Sequence, residues 1–390
     1  MKRALVLDAG QRSALAVTRS LGKKRVPVFT AEETPGALAA CSRYSKKFFT
    51  YPSPRIQPDS FVEALARLVK EQRIDVLLPM TELTTTLLLT HKEAFPGTVI
   101  PFPEMSRVDA LANKCTLMRT AESLGIPVPR TWYVDDPADI PDFNDAPSFP
   151  AVVKPGRSWL RLQDQWLRST VKFPADESAL NKIIASDPAF LAHPFMIQEY
   201  VAGHGQGVFA LYNHGKPLAF FAHRRLREKP PGGGVSVLSE SIATDPLMVS
   251  HARSLLDTVG WHGVAMVEFK VAADGTPYLM EINTRFWGSL QLAIDAGVDF
   301  PYLLYQLACG ENPEPVDSYK TGIRLRWLLG DLDSLYLTIR DRRYPLIKKL
   351  KATLQFLTPS PFKTRHEVDR WNDPGPCWYE LREYLRDIIS

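Results

Sequence analysis

What most restricts the fold is a turn signal set between two apolar runs. GVAMVEFKV, residues 263–271, is followed after Ala272 and Ala273 by DGTPYLMEINTRF, residues 274–286. Asp-Gly between strand-like segments predicts a β-hairpin. In an antiparallel pair, residues equidistant from the turn face each other. A turn centred on Asp274–Gly275 therefore sets Glu268 opposite Glu281, and a four-residue loop on that centre gives the same pairing. Asn283 shares the face of Glu281, and Arg285 follows on it if the strand continues. Like charges directly opposed on a sheet repel, and Val267, Phe269, Leu279 and Ile282 deny the acids easy hydration. Either one carboxyl stays protonated or a cation sits between them. Two carboxylates and an amide oxygen form a hard oxygen set of the kind Mg²⁺ accepts, with phosphate and water completing its shell. The Arg285 guanidinium suits phosphate or carboxylate.

At 390 residues the chain exceeds one ordinary core, which implies two or three domains. Its start alternates strand and helix. RALVLDA and VPVFTA read as strands, SALAVTRSLGKK as an amphipathic helix, and DSFVEALARLVKEQ as a helix with Asp59 as its N-cap. DVLLPM is a continuous apolar strand, as expected when both sheet faces are covered. The alternation predicts βαβ units and a parallel sheet. The turn DAGQRSA lacks G-x-G-x-x-G spacing and reads as structural rather than dinucleotide-binding.

Near residue 104 the texture changes. SRVDALANKCTLMRTAESLG predicts one helix ending at Gly125, and DDPADIPDFNDAPSFP, residues 135–150, predicts a surface connection. AVVKP is a short strand carrying Lys154 near its end, where an ammonium can meet a phosphate. PFMIQEYVAG is a strand running out through Gln198, Glu199 and Tyr200. GVFALYNHGKPLAFFAHRRLR predicts a hairpin turning at Asn213–Gly215, EKPPGGGVS a flexible loop, and PLMVSHARSLLDTVG a helix. Such mixing indicates α+β rather than a second doubly wound domain. Past about residue 311 the pattern is mostly helical. RDRRYPLIKKLKA, residues 340–352, reads as a solvated basic helix face, with an anionic membrane surface or nucleic acid as the alternative.

The bulk numbers exclude several classes. A net charge of +4 is too small for a nucleic-acid signature. The widely spaced Cys41, Cys115, Cys309 and Cys377 argue against a zinc site or disulfide framework and favour a reducing, cytoplasmic setting. The N-terminal apolar run is broken by Asp8 and reads as a strand, not a secretory signal. No apolar run reaches the roughly 18–20 residues of a membrane span, so no stable membrane insertion is expected.

The order Lys114, Lys154, Gln198–Val201, Glu268, then Glu281-x-Asn283-x-Arg285 resembles the ATP-grasp superfamily, in its branch of carboxylate–amine ligases and carbamoyl-phosphate-synthase-like domains. MEINTRFWGS is the most specific piece and resembles that family's E-x-N-x-R metal motif; VEFK resembles its upstream acidic strand. The resemblance spans about residues 1–310. It implies an α/β and α+β fold: a Rossmann-like pre-ATP-grasp domain over 1–104, a two-lobed ATP-grasp domain over 105–310 and a mostly helical C-terminal extension over 311–390. It further implies Lys114 and Lys154 on ATP phosphates, Glu199 and Val201 at adenine through backbone groups with Gln198 nearby, and Gln206 near the ribose. Glu268, Glu281 and Asn283 would hold Mg²⁺, or Mn²⁺ in its place, and Arg285 would meet the transferring phosphoryl group or the acyl phosphate.

The implied chemistry activates a substrate carboxylate as an acyl phosphate and joins it to an amine. Both substrates would be small molecules, and a homodimer is compatible. In AHRRLREK, strand alternation predicts His223, Arg225 and Arg227 on one face and Arg224 on the other, so Arg225 and its neighbours suit an anionic substrate or the acyl phosphate. Glu82 follows DVLLPM at a strand's carboxyl end, where an amine-bearing substrate could lie. His204 and His223 read equally as structural or functional. One departure stands out. KPGRSWLRLQDQWLRS has one glycine where the family's phosphate-covering loop is Gly-rich, leaving Arg157 or Ser158 as substitute donors. A carboxylase, a thioester-forming ligase, or a nucleotide-binding protein without turnover are the alternatives.

Overall fold

The computed structural model describes all residues except 138–146, 163–164, 359–363 and 390. Most of the Pro- and Asp-rich connection lies outside the described residues. The chain begins β1 (Ala4–Val6), α1 (Arg12–Lys23), β2 (Val28–Glu32), β3 (Ser45–Thr50), α2 (Pro58–Gln72), β4 (Val76–Leu78) and α3 (Glu82–Thr90). The first four strands form a sheet in the order β3-β2-β1-β4, with every pairing parallel. β1 and β4 are wholly buried, which is why they read as unbroken apolar runs. α2 buries Phe61, Val62, Leu65 and Val69 along one stripe. Its cap is Gln57, with Pro58 leading the helix and Asp59 inside the first turn, so Asp59 is not the N-cap. The turn after β1 is organised by Asp8. Asp8 accepts hydrogen bonds from the amides of Met80 and Thr81, both 2.9 Å, and from the Thr84 hydroxyl at 2.6 Å, clamping the end of β1 to that of β4.

Next come α4 (Met105–Ala112) and α5 (Lys114–Ser123), where one helix was expected. The break is Asn113, whose extended backbone (ψ 110°) and side-chain oxygen cap α5 by accepting from the amides of Cys115 and Thr116. β5 (Thr131–Val134), β6 (Ala151–Pro155), β7 (Trp159–Leu162), β8 (Gln165–Arg168), α6 (Glu177–Ser186), α7 (Pro188–Ala192) and β9 (Phe195–Glu199) follow. Sheet β5-β9-β6 encloses a small apolar core with α6 and α7, built on Val153, Leu180, Phe190, Phe195 and Ile197. β7 and β8 pair as an antiparallel hairpin.

The third sheet is the largest. β10 (His204–Asn213), β11 (Lys216–Lys229), β12 (Val235–Ile242), α8 (Pro246–Thr258), β13 (Gly263–Val271), β14 (Pro277–Asn283), α9 (Leu290–Ala296) and α10 (Phe300–Ala308) lead into β15 (Arg324–Arg326), α11 (Leu328–Arg340), α12 (Leu346–Leu357), β16 (Thr364–His366) and α13 (Gly375–Ile389). The sheet order is β14-β13-β10-β11-β12-β15-β16. The stretch past residue 311 is mostly helical, as expected, and also supplies β15 and the edge strand β16. It also returns to the start of the chain, where Arg19 donates to Asp373 at 2.7 Å and to the carbonyl oxygens of Glu367 and Val368.

The acidic hairpin reaches its register by an unexpected route. Ala272 and Thr276 close a three-residue loop in which Gly275 takes φ +89°, so the turn is not centred between Asp274 and Gly275. That offset would misalign the acids. Met280 is then bulged out: Phe269 faces Leu279, while Glu268 faces Glu281. The bulge cancels the offset and restores the opposed carboxylates.

Candidate phosphoryl-transfer site

Glu281 is the hub of the site. Asn283 Nδ2 donates to its Oε1 at 3.2 Å, which leaves the Asn283 carbonyl oxygen as an acceptor. Lys114 Nζ stands 3.5 Å from Glu281 Oε2 and donates to Ser158 Oγ at 3.2 Å. Lys114 reaches it because Asn113 begins α5 there and because its own amide donates to the Gly156 carbonyl at 2.7 Å. Lys154, buried on β6, completes the group; burial pushes its ammonium down to about 8, with Glu281 pulling it up and Lys114 pushing it down.

The two acids are driven apart. Burial works to raise the Glu281 carboxyl, but Lys114, Lys154 and the Asn283 hydrogen bond together hold it below the usual range. Burial raises Glu268 above that range, and Arg225 offsets it only in part. The two carboxyls are thus shifted in opposite directions, Glu281 toward the ionised form by the cations around it and Glu268 toward the protonated form by burial. Among the described residues no three His, Cys, Asp or Glu side chains are grouped so as to hold a metal ion by themselves. A cation here would take two carboxylates and the Asn283 oxygen, a donor set that fits a hard divalent ion.

Arg225 Nη2 lies 2.6 Å from Glu268 Oε2, although β10 runs between their strands. Glycines clear the way. Gly205 and Gly207 face Lys270 and Glu268 on one side and lie beside Arg225 and His223 on the other. A Cβ on Gly205 would come within 3.3 Å of Arg225 Cδ. Glu228 also holds Arg225, at 3.4 Å. The alternation HGQGVF carried the signal for this cleared strip, but only the strand order shows what it lies between.

The other arginines separate. A register shift at Leu226 breaks the alternation expected between Arg225 and Arg227, and Arg227 is bound instead by both oxygens of Asp331 on α11, each at 2.6 Å. Arg224 pairs with Glu240. His223 is buried against the Phe209 ring and near Ser289; burial pushes its imidazole down to about 3, so it stays neutral. Gln206 pairs with His204 at 2.8 Å on β10. β14 stops at Asn283, so Arg285 lies past the strand, donating to the Phe286 carbonyl at 2.9 Å while its charge still lowers Glu281. Glu82 opens α3 and lines a small cleft with Arg157 and Thr284. Gln198 donates to Thr131 Oγ1 at 2.9 Å, and its own carbonyl oxygen is buried with no hydrogen-bond partner among the described residues. Glu199 ends β9, and Val201 follows it outside the strand.

The Gly-poor segment after Lys154 is the β7–β8 hairpin. Ser158 is taken by Lys114, and Arg157 by Asp109 at 2.5 Å. The Trp166 amide donates to the Arg55 carbonyl at 3.1 Å, which docks the hairpin on the N-terminal part of the chain. A cavity of about 350 Å³ lies beneath it, walled by Arg157, Arg161, Trp166, Thr86 and His91.

Residues 192–330 match the family described as ATP-grasp in the biosynthetic pathway with Ter operon. Over 178 residues the chain is 28% identical to the D-alanine–D-alanine ligase of Coprothermobacter proteolyticus, a stretch that is 41% of this chain and 54% of the ligase. It spans about half the length of that curated relative. Its architecture superposes on the L-amino acid ligase of Bacillus licheniformis with TM-score 0.61 at 15% identity, over 83% of this chain and 78% of that one. The chain has the ATP-grasp fold. Biotin carboxylase from Campylobacter jejuni, solved with a β-γ-ATP complex, matches the same fold with TM-score 0.64 at 12% identity, over 83% of this chain and 74% of that one. The expected layout, a parallel α/β start, an ATP-grasp body and a helical end, is therefore that of the molecule. No helix among the described residues is long and apolar enough to cross a membrane.

Proposed function

We propose that this ATP-grasp chain is an ATP- and Mg²⁺-dependent ligase that activates a substrate carboxylate as an acyl phosphate and joins it to an amine. The observation that carries the reading is the convergence of Lys114, Lys154 and Asn283 on Glu281, directly opposite Glu268. Glu268, Glu281 and Asn283 would hold the divalent ion, Mg²⁺ or Mn²⁺, which supplies charge neutralisation on the phosphates. Lys114 and Lys154 present ammonium groups to the nucleotide's phosphates, and the backbone after Glu199, through Val201, borders the base, with Gln198 offering its unpaired oxygen and Gln206 lying toward the sugar.

In the first step a carboxylate oxygen attacks the γ-phosphorus in line, and the bond to ADP breaks with ADP taking the electron pair. In the second the amine attacks the acyl carbon, phosphate leaves, and the amine's proton passes to solvent or phosphate. No protein nucleophile is needed; positioning and electrostatics carry the rate. Arg285 and Arg225 are suited to the negative charge that develops on the transferring group. Residues 1–104 and 105–310 would wall the site, with Glu82 facing the amine, and residues 311–390 would brace the large sheet.

The test is ADP and phosphate release from pools of carboxylates and amines. Release that requires an amine supports the ligase; release that requires bicarbonate makes the chain a carboxylase; and its absence in every pool leaves a nucleotide binder. One feature favours that last reading: Arg225 already pairs with Glu268, and the hairpin after Lys154 is bulky and Gly-poor, so an ion at Glu268 would have to displace a resident ion pair.

A further inference from the structure

The helix α12 is turned the wrong way for a helix that merely covers a core. Its sequence LIKKLKATLQFL carries one aliphatic stripe, Leu346, Ile347, Leu350, Leu354 and Leu357. These side chains are exposed, from 55% for Leu350 to 77% for Ile347. The helix packs inward through a different face. Lys349, Ala352, Thr353 and Phe356 are its half-buried residues, and the Arg326 guanidinium lies 4.2 Å from the Phe356 ring and donates to its carbonyl at 3.0 Å. At about 100° per residue the aliphatic stripe lies roughly 120° around the helix from that contact. An amphipathic helix of a soluble domain ordinarily buries its richest stripe, and this one presents it to water.

The charge around the stripe indicates what covers it. From Arg340 to Lys351 there are six basic side chains, Arg340, Arg342, Arg343, Lys348, Lys349 and Lys351, against the single acid Asp341. On the helix the exposed Lys351 borders the aliphatic stripe and the exposed Lys348 lies beyond it on the same side, its ammonium 3.5 Å from the Tyr344 ring, while Lys349 is half-buried on the packing face. A second copy laid face to face would oppose two such basic surfaces, which is unfavourable. An apolar stripe with lysines along one side, on a convex helix of about 18 Å, matches the plane between lipid headgroups and acyl chains. There the leucines enter the acyl boundary and the lysines extend to anionic headgroups. We propose that α12 holds this protein on anionic lipid surfaces, lying in the plane of the interface without crossing it. The proposal does not depend on the nucleotide reading.

The full chain should co-float with vesicles containing about 30 mol% phosphatidylglycerol and stay behind with pure phosphatidylcholine. Leu350→Glu with Leu354→Glu should lower partitioning on the order of a hundredfold, since both exposed side chains lose their apolar burial. Lys348→Glu with Lys351→Glu should lower it about tenfold and flatten its salt dependence. All four positions are exposed, so circular dichroism and melting of both variants should match the parent. A fluorophore on Leu350→Cys should shift to the blue with the anionic vesicles alone. The proposal is overturned if the parent ignores anionic vesicles, or if it binds them equally well in the leucine variant. It is also overturned if that variant instead converts a dimer to a monomer in gel filtration, which would give the stripe to a second copy.

Discussion

Replacing Arg225 with methionine keeps most of the stem that crosses Gly205 and removes the guanidinium held 2.6 Å from Glu268. Both side chains are mostly enclosed, 15% and 16% exposed, so Glu268 loses a partner that water replaces poorly. Breaking a buried pair from one side costs about 3–5 kcal/mol, and the remaining solvent access places this one near about 3. For an unfolding unit of roughly 200 residues that is a drop of about 6 °C or more in Tm. The pH dependence follows from Glu268. Burial already raises its carboxyl, with Arg225 the main influence against that, so the variant's Glu268 moves higher still. A raised carboxyl makes the folded state hold a proton that the unfolded chain releases, so stability falls as pH rises through that window. The variant's deficit should therefore be small in mild acid and largest at mildly alkaline pH. Mg²⁺ should narrow the deficit, because the ion replaces the missing positive charge, adding about 2.7 kcal/mol at a hundredfold excess over its Kd. Differential scanning fluorimetry across pH, with and without Mg²⁺, reads both effects. A deficit that does not change with pH, or Mg²⁺ stabilisation equal in parent and variant, would refute the assignment of Glu268 to the ion.

Four further outcomes are expected. Glu281→Gln should reduce ADP release on the order of a hundredfold or more, since it removes both an ion ligand and the counter-charge of Lys114 and Lys154. In the parent, stability should rise between pH about 8 and the ordinary lysine range near 10.4, because the folded state there holds fewer protons than the unfolded one; Lys154→Met should lose that slope in urea titrations. Gly205→Val should push Arg225 from Glu268 and reproduce, more weakly, the Mg²⁺-dependent recovery expected of Arg225→Met, at an overpacking cost of about 1–3 kcal/mol. Asn113→Ala should cost about 1 kcal/mol through its lost cap and raise the KM for ATP, because Lys114 begins the helix that Asn113 caps.

How far these residues could be read beforehand depends on how local their placement is. The facing of Glu268 and Glu281 was legible because a hairpin is a local object, although two features the residues did not announce, a three-residue loop and a bulge at Met280, happen to cancel. The break at Asn113 was hidden because helix formers continue on both sides and a capping asparagine resembles an interior one until its backbone is seen extended. β15 and β16 are three residues long and arginine- or histidine-bearing, too short to show alternation, so their place at the sheet edge comes only from the neighbours they pair with. The hardest case is Arg225. Alternation grouped it with Arg227, but the shift at Leu226 separates them, and one arginine goes to Asp331 and the other to Glu268. That second contact needs β10 to lie between β11 and β13, and it needs β10 to be bare at Gly205 and Gly207. Sequence spacing reports which residues share a face; what that face meets is set by strand order and by vacancies on a strand far away in the chain. In α12, too, the apolar period is plain in the residues, and only the packing of Phe356 on Arg326 turns the leucines outward.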